Sequence, residues 1–303
     1  MRILFIFLDG VGLGSDDENK NPLVVANTPN LDTLLAGQKL VEGNAPVETR
    51  QATLLALDPT LGVSGLPQSA TGQAALVTGK NVPAMVGEHY GPKPNPAIAE
   101  IIKTDNIFQR IVGGGKLAAL LNAYPSRYFH GLESGKRLPS AIPLAVTSAG
   151  PSLFTEADFY RGEAISADFT GEGWRTMLGY SDAPVLSPVD SGKRMAKLAG
   201  KYDFSLFEYW ASDYAGHGQD MNKAIELIEI FDQVLGGLVD NWNMDEGLIF
   251  ITSDHGNLED LSTRRHTLAN VPGIIIGRDR GDFASGLTNL THVAGRIEKA
   301  VLG

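Results

Sequence analysis

The chain has 303 residues, 43% of them hydrophobic and 20% charged, which is enough for one large α/β domain carrying a small insertion. Its formal net charge of −10, without long Lys/Arg runs, argues against a nucleic-acid surface, and an anionic small-molecule substrate would need local cations. There is no cysteine, so disulfide and thiol chemistry are excluded and any metal must be held by oxygen and imidazole nitrogen.

The first predicted element is the apolar run Ile3 to Leu8. It is too short for a secretory signal and lacks a small-residue cleavage site, so it reads as a buried strand of a soluble, cytoplasmic protein with no membrane partner. Asp9-Gly10-Val11-Gly12 follows directly, placing a carboxylate at the strand end with glycines that let the backbone turn; a plain turn aspartate is the competing reading. Further on, Pro67 to Leu76 predicts a short helix with Ser69 at its start, where free N–H groups and the helix dipole favour an anion. Ser69 is a candidate nucleophile there, or simply a helix cap.

A second strand is predicted at Leu117 to Leu121, and the stretch 127–190 then changes character, rich in Gly, Pro, Ser and aromatic residues with weak periodicity. It reads as a small cap inserted into a core formed by 1–126 and 191–303. Its cations Arg127, Lys136, Arg137 and Arg175, together with Gln73, His89 and Arg265, are candidate substrate contacts; each charged one also reads as a solvated surface group.

The strand predicted at Ser205 to Tyr209 leads to Asp213 and His217, a carboxylate and an imidazole four residues apart that can approach one ion from a single helical turn or a tight loop. A long helix follows at Met221 to Val239, where Ala224, Ile228, Phe231, Leu235 and Leu238 repeat at helical spacing. The strand at Leu248 to Thr252 ends in the adjacent pair Asp254-His255, with His266 soon after and a last strand at Val271 to Ile276. Strands alternating with helices imply a largely parallel sheet sandwiched by helices, whose ligands bind beyond the carboxyl ends of the strands. Three of the chain's six histidines lie in these two segments, beside Asp213 and Asp254.

Taken in order, these segments resemble the alkaline phosphatase superfamily, and within it the branch of cofactor-independent phosphoglycerate mutase and phosphopentomutase. Asp9-Gly10-Val11-Gly12 is similar to that branch's opening metal motif, Thr28-Pro29-Asn30-Leu31-Asp32 to a recurrent superfamily segment, and Ser69-Ala70-Thr71-Gly72 to the nucleophile motif. Asp213 to His217, Asp254-His255-Gly256 and His266-Thr267 match the remaining ligands in order. The resemblance implies Asp9, Ser69, Asp254 and His255 around one metal ion, and Asp213, His217 and His266 around the other.

The implied activity is phosphoryl transfer dependent on two divalent ions, with Ser69 attacking in line. Oxygen and imidazole donors suit Mn or Zn better than Mg. Gln73 stands where mutases of the branch carry His, and the middle region is much shorter than theirs. Both departures point to a phosphatase or phosphodiesterase acting on a small phosphorylated metabolite, with a phosphoglycerate- or phosphopentose-type phosphomutase as the alternative. A non-catalytic metal-binding protein on a decayed enzyme fold is the reading from another class.

Overall fold

A computed structural model describes all 303 residues. The strands are β1 (Arg2–Leu8), β2 (Val47–Glu48), β3 (Ala52–Leu57), β4 (Ala118–Leu120), β5 (Ala123–Tyr124), β6 (Phe154–Thr155), β7 (Phe204–Tyr209), β8 (Gly247–Thr252) and β9 (Val271–Ile276). Seven form one sheet in the order β2-β3-β9-β8-β1-β7-β4, while β5 and β6 pair separately. β1 is parallel to β7 and β8, and β4 to β7, whereas β9 runs antiparallel to both β8 and β3, and β2 antiparallel to β3. All strands of this sheet except β2 and β9 therefore point the same way, giving the largely parallel α/β sheet that the sequence implies.

The central strands are apolar throughout because both faces of the sheet are covered. In β1 the side chains of Ile3, Phe5 and Phe7 enter one buried cluster, and those of Leu4, Ile6 and Leu8 enter another on the opposite face. The first cluster includes Ala70, Ala74 and Val77 of the helix Ser69–Thr78, and the second includes Ile228, Leu235 and Leu238 of the helix Met221–Val239. The predicted long helix is found with the bounds its periodicity gives.

The sequence reading does not foresee β3. Its residues, Ala-Thr-Leu-Leu-Ala-Leu, are mostly good helix formers, and pairing with β9 overrides that local preference. Within 127–190, the helix Ala141–Ser148 buries Ile142, Ala145 and Val146 in the first cluster of the main core. Phe159, Ala164, Trp174 and Ala183 instead join Ala123 in a small cluster of their own, with Phe159 and Trp174 stacked at 4.7 Å. No helix is long and apolar enough to cross a membrane.

The register sets where chemistry can occur. Leu8 lies beside Tyr209 and Phe7 beside Thr252, so β1, β7 and β8 end along one edge of the sheet. Because β9 is reversed, its first residue, Val271, pairs with Leu57 at the end of β3. The segment leading into β9 thus returns to the same edge.

Candidate metal centre

Asp9 follows β1 directly, and the next residue turns the chain: Gly10 has φ +68°, and a Cβ there would lie 2.6 Å from Asp213 Oδ1. Only glycine meets both demands. Asp254 and His255 follow β8 and are fully buried, with Asp254 Oδ1 accepting from the Gly10 N–H at 3.4 Å. Ser69 opens the buried helix Ser69–Thr78, and its Oγ lies 3.1 Å from His255 Nε2. That same nitrogen is 3.4 Å from Asp9 Oδ1 and 3.6 Å from Asp254 Oδ2. Asp9, Ser69, Asp254 and His255 are thus brought together in a deep set.

The second set is shallower. Asp213 and His217 sit one turn apart on the helix Ala211–Gly218, with His217 Nε2 3.3 Å from Asp213 Oδ2. His266 Nε2 is 3.7 Å from Asp213 Oδ1 and 3.4 Å from His217 Nε2. Exposure grades across the centre: the Asp254 side chain is 0% exposed, that of Asp213 16% and that of His217 44%. The rings of His255 and His266 stack at 3.7 Å and join the two sets. Asp213 is shared, since it also groups with Asp9 and His255 as a candidate ligand trio.

Hydrogen bonds behind the ligands fix which ring nitrogen faces inward. His217 Nδ1 meets the Arg264 carbonyl and His266 Nδ1 the Pro67 carbonyl, each at 2.7 Å. A carbonyl can only accept, so both Nδ1 atoms carry the hydrogen and both Nε2 atoms face Asp213. In the deep set, burial and then the neighbouring His266 push His255 down to about 3, which leaves it neutral. Burial, followed by the carboxylates of Asp254 and Asp213, raises Asp9 well above the usual carboxylate range; burial and then Asp213 raise Asp254 to about 7.

The donor set fits divalent cations. Lone pairs of imidazole and carboxylate converge with few protons among them, and Asp9 Oδ1 is buried with no hydrogen-bond partner. A cation would answer both the orphaned oxygen and the crowding of negative charge.

Several residues of the centre are missed by sequence reasoning. Asn257 Nδ2 donates to Asp213 Oδ1 at 2.8 Å. Buried Glu259 accepts from the N–H groups of Gly12 and Asn257 and from the Thr267 hydroxyl, tying the loop after β1 to both ends of the β8–β9 loop that carries Asp254 and His266. Glu208 on β7 is also buried and accepts from the Tyr124 hydroxyl. Asn257 and Glu259 closely follow the Asp254-His255 pair, which is the one signal available for them. The segment Thr28 to Asp32 lies away from the ligands: the N–H groups of Asn30 and Leu31 donate to buried Asp232 on the helix Met221–Val239, so the motif docks one helix onto another.

An open cleft of about 680 Å³ leads to Ser69, Asp213, His217 and His266. Of the candidate substrate contacts, His89 and Arg265 line it. His89 is held to the Val63 carbonyl at 3.2 Å. Gln73 lies beneath, donating to Asp9 and Asp254. Arg127, Lys136, Arg137 and Arg175 are not among the lining residues. Arg137 sits over the Tyr128 ring at 4.7 Å, and Arg175 donates to the Ala183 carbonyl.

Residues 186–300, which contain every ligand from Asp213 to His266, match the model of the Metalloenzyme superfamily. Over 99% of its length the chain aligns structurally with an alkaline phosphatase from the Antarctic bacterium TAB5, at a TM-score of 0.56, 12% identity and 97% coverage of that chain. The C-terminal part of the chain is thus similar to the Metalloenzyme superfamily, and the whole chain shares the fold of that alkaline phosphatase. A protein from Pyrococcus horikoshii aligns at a TM-score of 0.60 and 17% identity, over 99% of this chain and 96% of that one. In sequence, the chain is 26% identical over 297 residues to the 2,3-bisphosphoglycerate-independent phosphoglycerate mutase of Pyrococcus abyssi, covering 88% of this chain and 69% of that protein. It is 34% identical over 113 residues to the mutase of the same name from Halobacterium salinarum, covering 35% of this chain. The chain spans only 22% of the length of that second relative.

Proposed function

We propose that this chain is a member of the alkaline phosphatase-like metalloenzymes, a two-cation phosphoryl-transfer enzyme that passes a phosphoryl group through Ser69 and acts as a phosphomutase on a small phosphorylated metabolite. The carrying observation is the placement of Ser69 Oγ at the start of a buried helix, 3.1 Å from His255 Nε2 and among converging carboxylates. Asp9, Ser69, Asp254 and His255 would hold one cation, and Asp213, His217 and His266 the other, with Asp213 near enough to serve both. The nitrogen and oxygen donors suit Mn or Zn.

When bound, the cations would supply Lewis acidity that lowers the pKa of the Ser69 hydroxyl and draws charge from the transferring phosphoryl oxygens. The chain supplies the rest. His255 Nε2 and Ser69 Oγ lie 3.1 Å apart, so the two donors are set side by side to face one cation, while the first N–H groups of the helix Ser69–Thr78 favour the incoming anion. Ser69 Oγ bonds to phosphorus as the ester P–O bond breaks, and the proton given up by the Ser69 hydroxyl balances the one taken by the departing alkoxide. A second substrate hydroxyl then attacks phosphorus and restores Ser69. Arg265 is the one Lys or Arg side chain lining the cleft, and we assign it to the substrate's anionic groups.

The mutase outcome takes its support from the names of the sequence relatives, which favour it over the phosphatase or phosphodiesterase expected from Gln73 and the short middle region. Phosphoglycerate is accordingly the first substrate to try. Hydrolysis is the second reading, favoured by the open cleft and by the 44% exposure of the His217 side chain, which admit water to a phosphoseryl intermediate. The segment 127–190 is proposed as an insertion whose own packing centres on Phe159 and Trp174.

The test is an assay of Mn- and Zn-reconstituted protein on phosphoglycerate, phosphopentoses, phosphomonoesters and phosphodiesters, following both isomer and inorganic phosphate. Isomer without phosphate release supports the mutase, and phosphate release supports the hydrolase. Ser69→Ala should abolish either activity while metal still binds; an unchanged rate would sink the covalent route.

A further inference from the structure

Ser69 and Gln73 are one helical turn apart on the helix Ser69–Thr78 and face the same way. Gln73 is 5% exposed, and its Nε2 lies 3.4 Å from Asp9 Oδ2 and 3.2 Å from Asp254 Oδ2. An amide nitrogen carries two hydrogens, one for each carboxylate, and an amide facing two carboxylates presents nitrogen rather than oxygen. The two acids come from different strands, β1 and β8, so one side chain spans both. The helix is pressed against the end of β8, since a Cβ on Gly72 would lie 2.9 Å from both Asp254 Cβ and the Asp254 carbonyl oxygen. This close approach delivers the amide.

We propose that Gln73 is a positioning residue of the deep metal set: its single amide group ties Asp9 to Asp254 and leaves Asp9 Oδ1, which has no other partner, free to face His255 and an incoming cation. The assignment rests on reading the centre as a metal site. It also removes Gln73 from the substrate contacts, because both amide hydrogens are committed below the cleft. A neutral donor suits the place: it satisfies two carboxylate oxygens without adding a positive charge that would compete with the cation. Asn257 stands in a similar relation to Asp213 in the shallow set, donating at 2.8 Å.

The experiment is calorimetric titration of metal-free protein with Mn²⁺, with the deep and shallow binding steps identified through Asp254→Asn and His217→Ala. Gln73→Leu removes the donor at similar size, and Gln73→Asn keeps the amide but withdraws it by one methylene. Both are expected to weaken the deep step roughly 10- to 100-fold and to leave the shallow step in place, which also reports that the fold is intact. Unchanged deep-step affinity in either variant overturns the assignment. Wild-type protein that binds no Mn²⁺ overturns the metal reading itself, an outcome separate from the failure of Gln73 alone.

Discussion

Glu208 shows how a single buried acid can carry a measurable property. It lies on β7, accepts from the Tyr124 hydroxyl, and is raised to about 7 by burial, with the Tyr124 hydrogen bond pulling the other way. The unfolded chain releases this proton near 4.5, so between those values the native state holds a proton that the unfolded state has lost. Glu208 therefore contributes stability to the metal-free protein that falls as pH rises through this window, fully present below it and lost above about 7, alongside the like-signed shares of Asp9 and Asp254. Glu208→Gln should remove Glu208's share of that slope, a difference on the order of 3 kcal/mol between wild type and variant read by urea unfolding at low and high pH. Identical slopes in the two proteins would show that Glu208 titrates normally. Residues of this kind were not legible in the sequence. Asp254 and His255 announce themselves as an adjacent pair past an apolar run, whereas Glu208 sits inside such a run, and Glu259 joins the loop after β1 to two points of its own β8–β9 loop. No local pattern encodes those partnerships.

At the scale of elements, the helix Ser69–Thr78 brings Ser69, the proposed nucleophile, and the Gln73 amide to the centre, and all ten of its residues are buried. Gly72 sets its distance from β8. Gly72→Ala should force the helix outward, costing about 1–3 kcal/mol of stability and lowering kcat more than it raises KM, because the Ser69 hydroxyl moves relative to His255. Denaturant unfolding and steady-state kinetics read the two effects, and a variant with unaltered kcat would mean that the helix absorbs the methyl group elsewhere. The strands β1, β7, β8 and β9 were legible because each is an apolar run of strand length with β-branched or aromatic residues. β3 was not, since its Ala and Leu content favours a helix when read alone and only its pairing with β9 makes it a strand. The cationic side chains of the middle segment lie outside the cleft lining for a related reason: composition identifies charges, but contact with the cleft depends on packing that composition does not specify.

For the molecule as a whole, the centre is also a structural joint. Its ligands arise beyond β1, β7 and β8 and ahead of β9, so cations held there would link four neighbouring strands of the sheet. Metal removal is expected to lower Tm, because a ligand that binds only the folded state stabilises it by about 2.7 kcal/mol at a hundredfold excess over Kd. Thermal melts with and without EDTA give the measurement; coincident curves would mean that the cations contribute nothing to the fold. Motif order in the sequence was enough to locate this joint, though not to show that Asp213 reaches both sets.

The reversal of β9 has a consequence for how the molecule is made. His266 reaches the shared edge only on the return path into a strand that must slot between β3 and β8, and β3 was synthesised some two hundred residues earlier. A nascent chain that has emerged only as far as His255 can present the deep ligands but lacks the imidazole that closes the shallow set. Full loading with cations would therefore have to await a chain that extends past His266, at the threshold of the strand that completes this part of the sheet.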